Sequence, residues 1–219
     1  MAADDWFRNT NWDSLIEADF EARLKRSRGA YSKAQYLRIQ ASYLLGSADK
    51  NNQLVGLRLM ERLIEEFPTE ESSTIFGHEQ LGDYYLKNGN LERAEFYFRI
   101  VTEHYVNKKS RGGTSAIADL KLAETLLATN QSDKFEEAYS LCKNFPLDDL
   151  IFNSDRFYYA ELAAQLYDKM NKKEEAKNYA KTAIEISRIS EPQFNRHKTV
   201  GLVKVTDKQL EALEGIVNR

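Results

Sequence analysis

Four short segments of this 219-residue chain repeat one pattern. They read QASYLL, LGDYYL, LAETLL and AAQLYD, and they set a small residue at Ala41, Gly82, Ala123 and Ala164, a constant interval of 41. Three places further on stand Leu44, Tyr85, Leu126 and Tyr167, all large. A small and a large residue at i and i+3 share one helix face. The small one lets a neighbouring helix come close, and the large one fills the space beside it. A second small residue follows in each copy, at Gly56, Ala94, Ala138 and Ala176, displaced by 15, 12, 15 and 12 residues. The pattern is a helix pair written four times, with longer inner turns (GSADKNN and NQSDK) in the first and third copies. One such pair cannot bury its own apolar face, so the copies must stack. Only 3 Pro and 10 Gly interrupt the chain, which suits long helices and argues against a turn-rich β fold. A helical bundle with chance spacing and other helix-pair repeats near this period are the competing readings.

Periodicity and punctuation place the elements. A first helix is predicted over 13–28, with Thr10 and Asp13 spaced as a capping box, Leu15, Ile16, Phe20 and Leu24 facing inward, and Gly29 at its end. The pairs are predicted at 32–46 and 53–67, 75–88 and 91–106, 115–129 and 133–144, and 154–170 and 173–188. Loops are expected at 68–74 and 107–114, the second basic, glycine-rich and mobile. After Ile189 the helical period is lost: Pro192 breaks the chain and TVGLVKV is β-like in composition. A last helix is predicted over 207–217, capped by Thr206, with Leu210, Leu213, Ile216 and Val217 inward. The expected organisation is an aromatic segment and capping helix at 1–34, helix pairs at 35–190, and an irregular segment with a capping helix at 191–219.

The segment 75–106 resembles a tetratricopeptide repeat at Leu81, Gly82, Tyr85, Gly89, Ala94 and Phe98. The family pattern asks for a small residue, a Tyr, a turn Gly, an Ala and an aromatic at these spacings, and only its closing Pro is replaced, by Val106. The copy at 37–68 lacks the turn glycine and keeps Pro68; the copy at 157–188 matches through Ala164, Tyr167, Ala176 and Ala183; the copy at 116–146 is the most degenerate. The resemblance implies an all-α, right-handed solenoid of stacked antiparallel helix pairs with capping helices at both ends. It also implies a concave groove, lined by the first helix of each pair, that holds a peptide or protein partner.

Carried over in the 41-residue register, the groove positions hold Gln35, Arg38 and Ser42, then Phe76, Glu79, Asp83 and Leu86, then Ile117, Leu120 and Glu124, then Tyr158, Glu161 and Gln165. The surface they imply has a basic entry at Arg38, an acidic middle, and apolar steps at Phe76, Ile117 and Tyr158. Some family members clamp a peptide carboxylate with Lys, Asn and Arg. Here those positions hold Arg38, Ser42, Gln80, Ile117 and Lys121, so the Asn residues and one cation are gone. A peptide with basic and apolar side chains suits Glu79, Asp83, Glu124 and Glu161 better.

Little in the sequence speaks for catalysis. Gly112-Gly113 has neither the spacing nor the following Lys-Ser/Thr of a phosphate cradle. His78, His104 and His197 have no second His or Cys at ligand spacing. His78 reads as a packed residue, His104 as a cation near a helix end. Cys142 reads as inert packing, since no base can be placed beside it. The acidic pairs Glu65-Glu66, Glu70-Glu71 and Glu136-Glu137 read as solvated helix faces. No cofactor or metal is expected, and the chain is read as a non-enzymatic adaptor.

Charge narrows the partner classes. Lys and Arg number 31 against 34 Asp and Glu, a formal net charge of −3, which is not the basic excess of a dedicated nucleic-acid binder. The stretch 23–38 is the exception, with Arg23, Lys25, Arg26 and Arg28 followed by Tyr31, Lys33, Tyr36 and Arg38. It supports an alternative reading as a nucleic-acid-associated protein. Self-assembly through the stack ends or the 190–205 segment is another. Trp6, Phe7 and Trp12 read as an aromatic cap on the first repeat, with partner anchoring the competing role. A single cysteine, an acidic N-terminus and no membrane-length apolar run lead to the expectation of a cytoplasmic protein that does not enter membranes.

Overall fold

A computed structural model describes residues 5–219. Among these it contains ten α-helices, one 3₁₀ turn and no β-strand. The chain divides into two compact units, Met1–Ala118 and Asp119–Arg219.

The first unit holds α1 (Ser14–Arg26), α2 (Ala30–Leu45), α3 (Lys50–Glu66), α4 (Glu71–Lys87) and α5 (Leu91–Lys108). Helices α2 and α3 pack as one pair, α4 and α5 as the next, and α4 lies against both α2 and α3. The repeating small residues sit at the closest approaches. A Cβ on Gly82 would fall 2.6–2.9 Å from the ring of Phe98, and one on Gly56 would fall 2.9 Å from the Leu45 nitrogen and 3.0 Å from the Ala41 carbonyl. Their large partners Leu44, Tyr85 and Phe98 are buried. The period in the sequence is thus the period of helix contact.

Residues 6–12 fold back as a cap. The Trp6 ring lies 4.8 Å from Tyr36 and 5.3 Å from Phe20, and Trp12 lies 5.4 Å from Phe20. Two buried amides stitch this segment down. Gln40 accepts from the Asn9 backbone N–H at 3.0 Å and donates to the Asn9 carbonyl at 2.8 Å. Asn52 accepts from the Trp12 N–H at 3.1 Å and donates to the Thr10 carbonyl at 3.2 Å. An irregular segment needs such partners for its backbone.

Two expectations for α1 are corrected. Asp13 is itself the N-cap, accepting from Leu15 N and Ile16 N, so Thr10 and Asp13 form no capping box. Leu15 is 80% exposed. It stands about 140° around the helix from Phe20, off the stripe that Phe20 and Leu24 bury. Helix α4 also starts earlier than predicted, at Glu71, because Ser73 and Thr74 N–H both bond the Glu70 carbonyl.

The second unit holds most of α6 (Ala118–Ala128), then α7 (Ser132–Lys143), a 3₁₀ turn (Leu147–Asp149), α8 (Asn153–Lys169), α9 (Lys173–Ser187) and α10 (Asp207–Val217). Helices α8 and α9 form a pair around Ala160, Ala164, Ala176, Ala180 and Ala183, small residues that bring the axes together. Leu213 and Ile216 of α10 complete this core, with Leu210 and Val217 partly buried against it, as the spacing predicts. Thr206 and Gln209 form the capping box of α10. The TVGLVKV segment makes no strand; Val203 and Val205 instead cover the core, and the local order is a turn with an isolated bridge between Phe194 and His197.

Candidate partner-binding faces

In the first unit the face is formed by α2 and α4, which the repeat register lays side by side. The Arg38 guanidinium sits 4.7 Å over the Phe76 ring, a stacking that suits a planar cation. Burial of this group pulls its pKa below the usual arginine value. The Ser42 hydroxyl lies 2.7 Å from Gln80 Oε1. Beyond it opens a shallow cleft lined by Ser42, Gln80, Asp83, Tyr84 and Lys87. Polar and apolar surface therefore alternate along one face.

Glu79 does not share that face. It is only 2% exposed, and its carboxylate accepts from the Ser115 N–H at 2.8 Å and from the Ser115 hydroxyl. This corrects its assignment to an open groove: the charge is turned inward to hold the chain after α5. The adjoining 107–114 loop, expected to be mobile, makes contacts of its own, with Thr114 and Arg111 against Tyr105 and the Arg111 guanidinium bonded to the Ala116 carbonyl at 3.2 Å. Ile117 is corrected too. Ala116 has φ +66°, a left-handed conformation that interrupts any helix, so α6 begins at Ala118 and Ile117 precedes it.

In the second unit α6 supplies Lys121 and Glu124, and α8 supplies Tyr158 and Glu161, all partly buried. The Tyr158 hydroxyl donates to Glu124. Both Glu161 oxygens accept from Gln209 Nε2 of α10, at 3.0 and 3.1 Å, so the capping helix already engages this candidate. Burial raises the Glu161 pKa, the Gln209 bond opposes the rise, and Glu124 adds to it. Asp155, in the first turn of α8, is raised by burial against the opposing pull of Ser154 and Lys121. The register passed over Asp155 because it lies one turn before the positions carried across.

The register position that holds Arg38, Glu79, Leu120 and Glu161 thus behaves differently from the one four residues later. Glu79 and Leu120 are buried and the other two partly so. At the later position, Ser42, Asp83 and Glu124 are partly buried and Gln165 is exposed.

The remaining chemical candidates are packed groups. Burial pushes the Cys142 thiol up to about 12, despite a partner in Tyr159. The His78 ring lies tilted against Tyr97 at 5.8 Å, and burial lowers its pKa. No described helix is long and apolar enough to cross a membrane.

Antiparallel helix pairs with small residues at their crossings, in both units, define a helix-pair repeat protein. Two segments are similar to the tetratricopeptide repeat: its family model matches residues 78–103, from α4 into α5, and residues 158–189, from α8 through α9. No curated protein and no solved structure matches the chain. Tetratricopeptide repeats are in general protein–protein interaction motifs.

Proposed function

We propose that this chain is a non-enzymatic adaptor of the cytoplasm that holds a peptide or protein partner on the first-helix faces of its repeats. The observation that carries the reading is the α2–α4 face, where the Arg38–Phe76 stack adjoins the cleft of Ser42, Gln80 and Asp83. Such a face offers an apolar ring, a carboxylate and amide hydrogen bonds within reach of one extended or helical segment. The partner's chemistry is basic and apolar side chains, set against Asp83 here and against Glu124, Tyr158 and Glu161 in the second unit. Glu79 is left out of the contact set.

The test compares proteins retained by the tagged full chain and by its Asp83→Lys variant in purification from the native host, read by mass spectrometry. A specific protein should be lost with the variant. Peptides rich in Lys and apolar residues should bind the unmodified chain more tightly than acidic ones. Equal retention by both chains rules the α2–α4 face out.

A second reading places single-stranded nucleic acid on the basic 23–38 stretch. It is favoured by a cleft lined by Trp6, Arg23, Arg26, Ser27 and Tyr36, which sets aromatic rings beside guanidinium groups. Arg23 is partly neutralised by Asp19 at 2.9 Å. Salt-sensitive RNA binding that disappears in Arg26→Glu and Arg28→Glu supports this reading, and no binding at low salt ends it.

A further inference from the structure

Four large apolar side chains of the second unit stand in water on two adjoining segments. Leu147 is 51% exposed, Ile151 59%, Phe152 39% and Phe194 41%. Scattered exposed apolar residues are ordinary, whereas a contiguous group marks a contact surface.

The seam between these segments is built from specific bonds. Gln193 clips them together: its Nε2 donates to the Ile151 carbonyl at 2.6 Å, and its Oε1 accepts from the Asn153 N–H at 3.0 Å. Its own N–H is held by the Val200 carbonyl at 3.1 Å. Gly201, at φ +81°, packs so tightly on this amide that a Cβ would fall 2.5 Å from Oε1. The Phe152 and Phe194 rings meet edge to face at 6.2 Å across the seam.

Charge is divided between the two sides. The 147–153 segment brings Asp148, and the 194–198 segment brings Arg196 and Lys198. A uniformly acidic or basic partner would match one side and oppose the other. A second copy turned by half a rotation matches both, because each acidic side meets the other copy's basic side while the apolar residues cover one another. We infer that this face joins two copies of the chain in an isologous dimer.

Sedimentation velocity on the full chain over a range of concentrations tests the inference. The mass should rise with concentration from the 25.3 kDa of one chain towards twice that value. Ile151→Glu and Phe194→Glu should each weaken association by about tenfold or more, as loss of central apolar anchors does. Asp148→Arg and Arg196→Asp should each dimerise poorly alone. An equimolar mixture of these two variants should recover the dimer, since every contact then pairs opposite charges. Circular dichroism should show all four variants folded, because the substituted side chains are exposed. A single-chain mass at every concentration overturns the proposal. So does a dimer that survives the apolar substitutions, or a mixture that fails to associate.

Discussion

Replacing Gly82 by Ala tests whether the repeat period is a packing constraint. In a helix interior Ala is favoured over Gly by roughly 0.8–1.0 kcal/mol. Position 82 lies inside α4, so propensity alone predicts a more stable protein. The structure predicts the reverse. The new methyl would lie 2.6, 2.8 and 2.9 Å from three atoms of the Phe98 ring, and that ring is fully buried. Overpacking of this kind costs about 1–3 kcal/mol. The net effect is a loss of up to about 2 kcal/mol, or a fall in Tm of roughly 2–4 °C per kcal/mol for a chain of this size. Gly215→Ala is the control. It too lies within a helix, but nothing is within 4 Å of its added Cβ, so that change should stabilise. Urea unfolding followed by circular dichroism reads both midpoints. In a Phe98→Leu background, which gives the methyl room, Gly82→Ala should become neutral or stabilising, a coupling of about 0.5–3 kcal/mol. If Gly82→Ala raises the midpoint as Gly215→Ala does, close approach at the repeated small residue is not what the period encodes.

Three further outcomes follow from the buried groups. Glu79→Ala should cost about 1–3 kcal/mol in urea unfolding, because the Ser115 N–H and hydroxyl lose their acceptor; hydrogen exchange at residues 109–117 should speed up selectively. Cys142 should resist a thiol reagent at neutral pH in the native protein and react at once in denaturant, since burial holds the thiol at about 12. His78 has a folded pKa below its ordinary 6.5, so the unfolded chain takes up the proton first. Its contribution to stability is complete above pH 6.5 and is lost as pH falls through the folded pKa; His78→Phe should flatten the corresponding slope of Tm against pH.

Positions 82, 94 and 98 show why so much of the fold is legible in one sequence. Helix-pair packing depends on residue size at fixed spacing, and size and spacing are what a sequence displays. The N-terminal aromatic cap was legible for a related reason, since Trp6, Phe7 and Trp12 must bury their rings somewhere. The candidate faces were legible only as positions in a register. Arg38, Phe76, Asp83, Glu124, Tyr158 and Glu161 occupy the helices expected of them. Glu79 and Ile117 do not offer the open first-helix surface expected, and Asp155 was passed over.

The sequence by itself determined the helix pairs, their 41-residue period, the small-against-large crossings and the amphipathic last helix. Each of these follows from local periodicity. Only the tertiary structure decided that Glu79 turns inward to Ser115, that Gln40 and Asn52 anchor residues 9–12, and that Gln193 ties Ile151 and Asn153 into one surface. Those bonds join residues 31 to 42 apart in the chain. A polar side chain looks the same in sequence whether it faces water or a distant backbone group, and burial removes the water that would otherwise satisfy it. Its role is therefore fixed by which groups the fold brings within hydrogen-bonding distance.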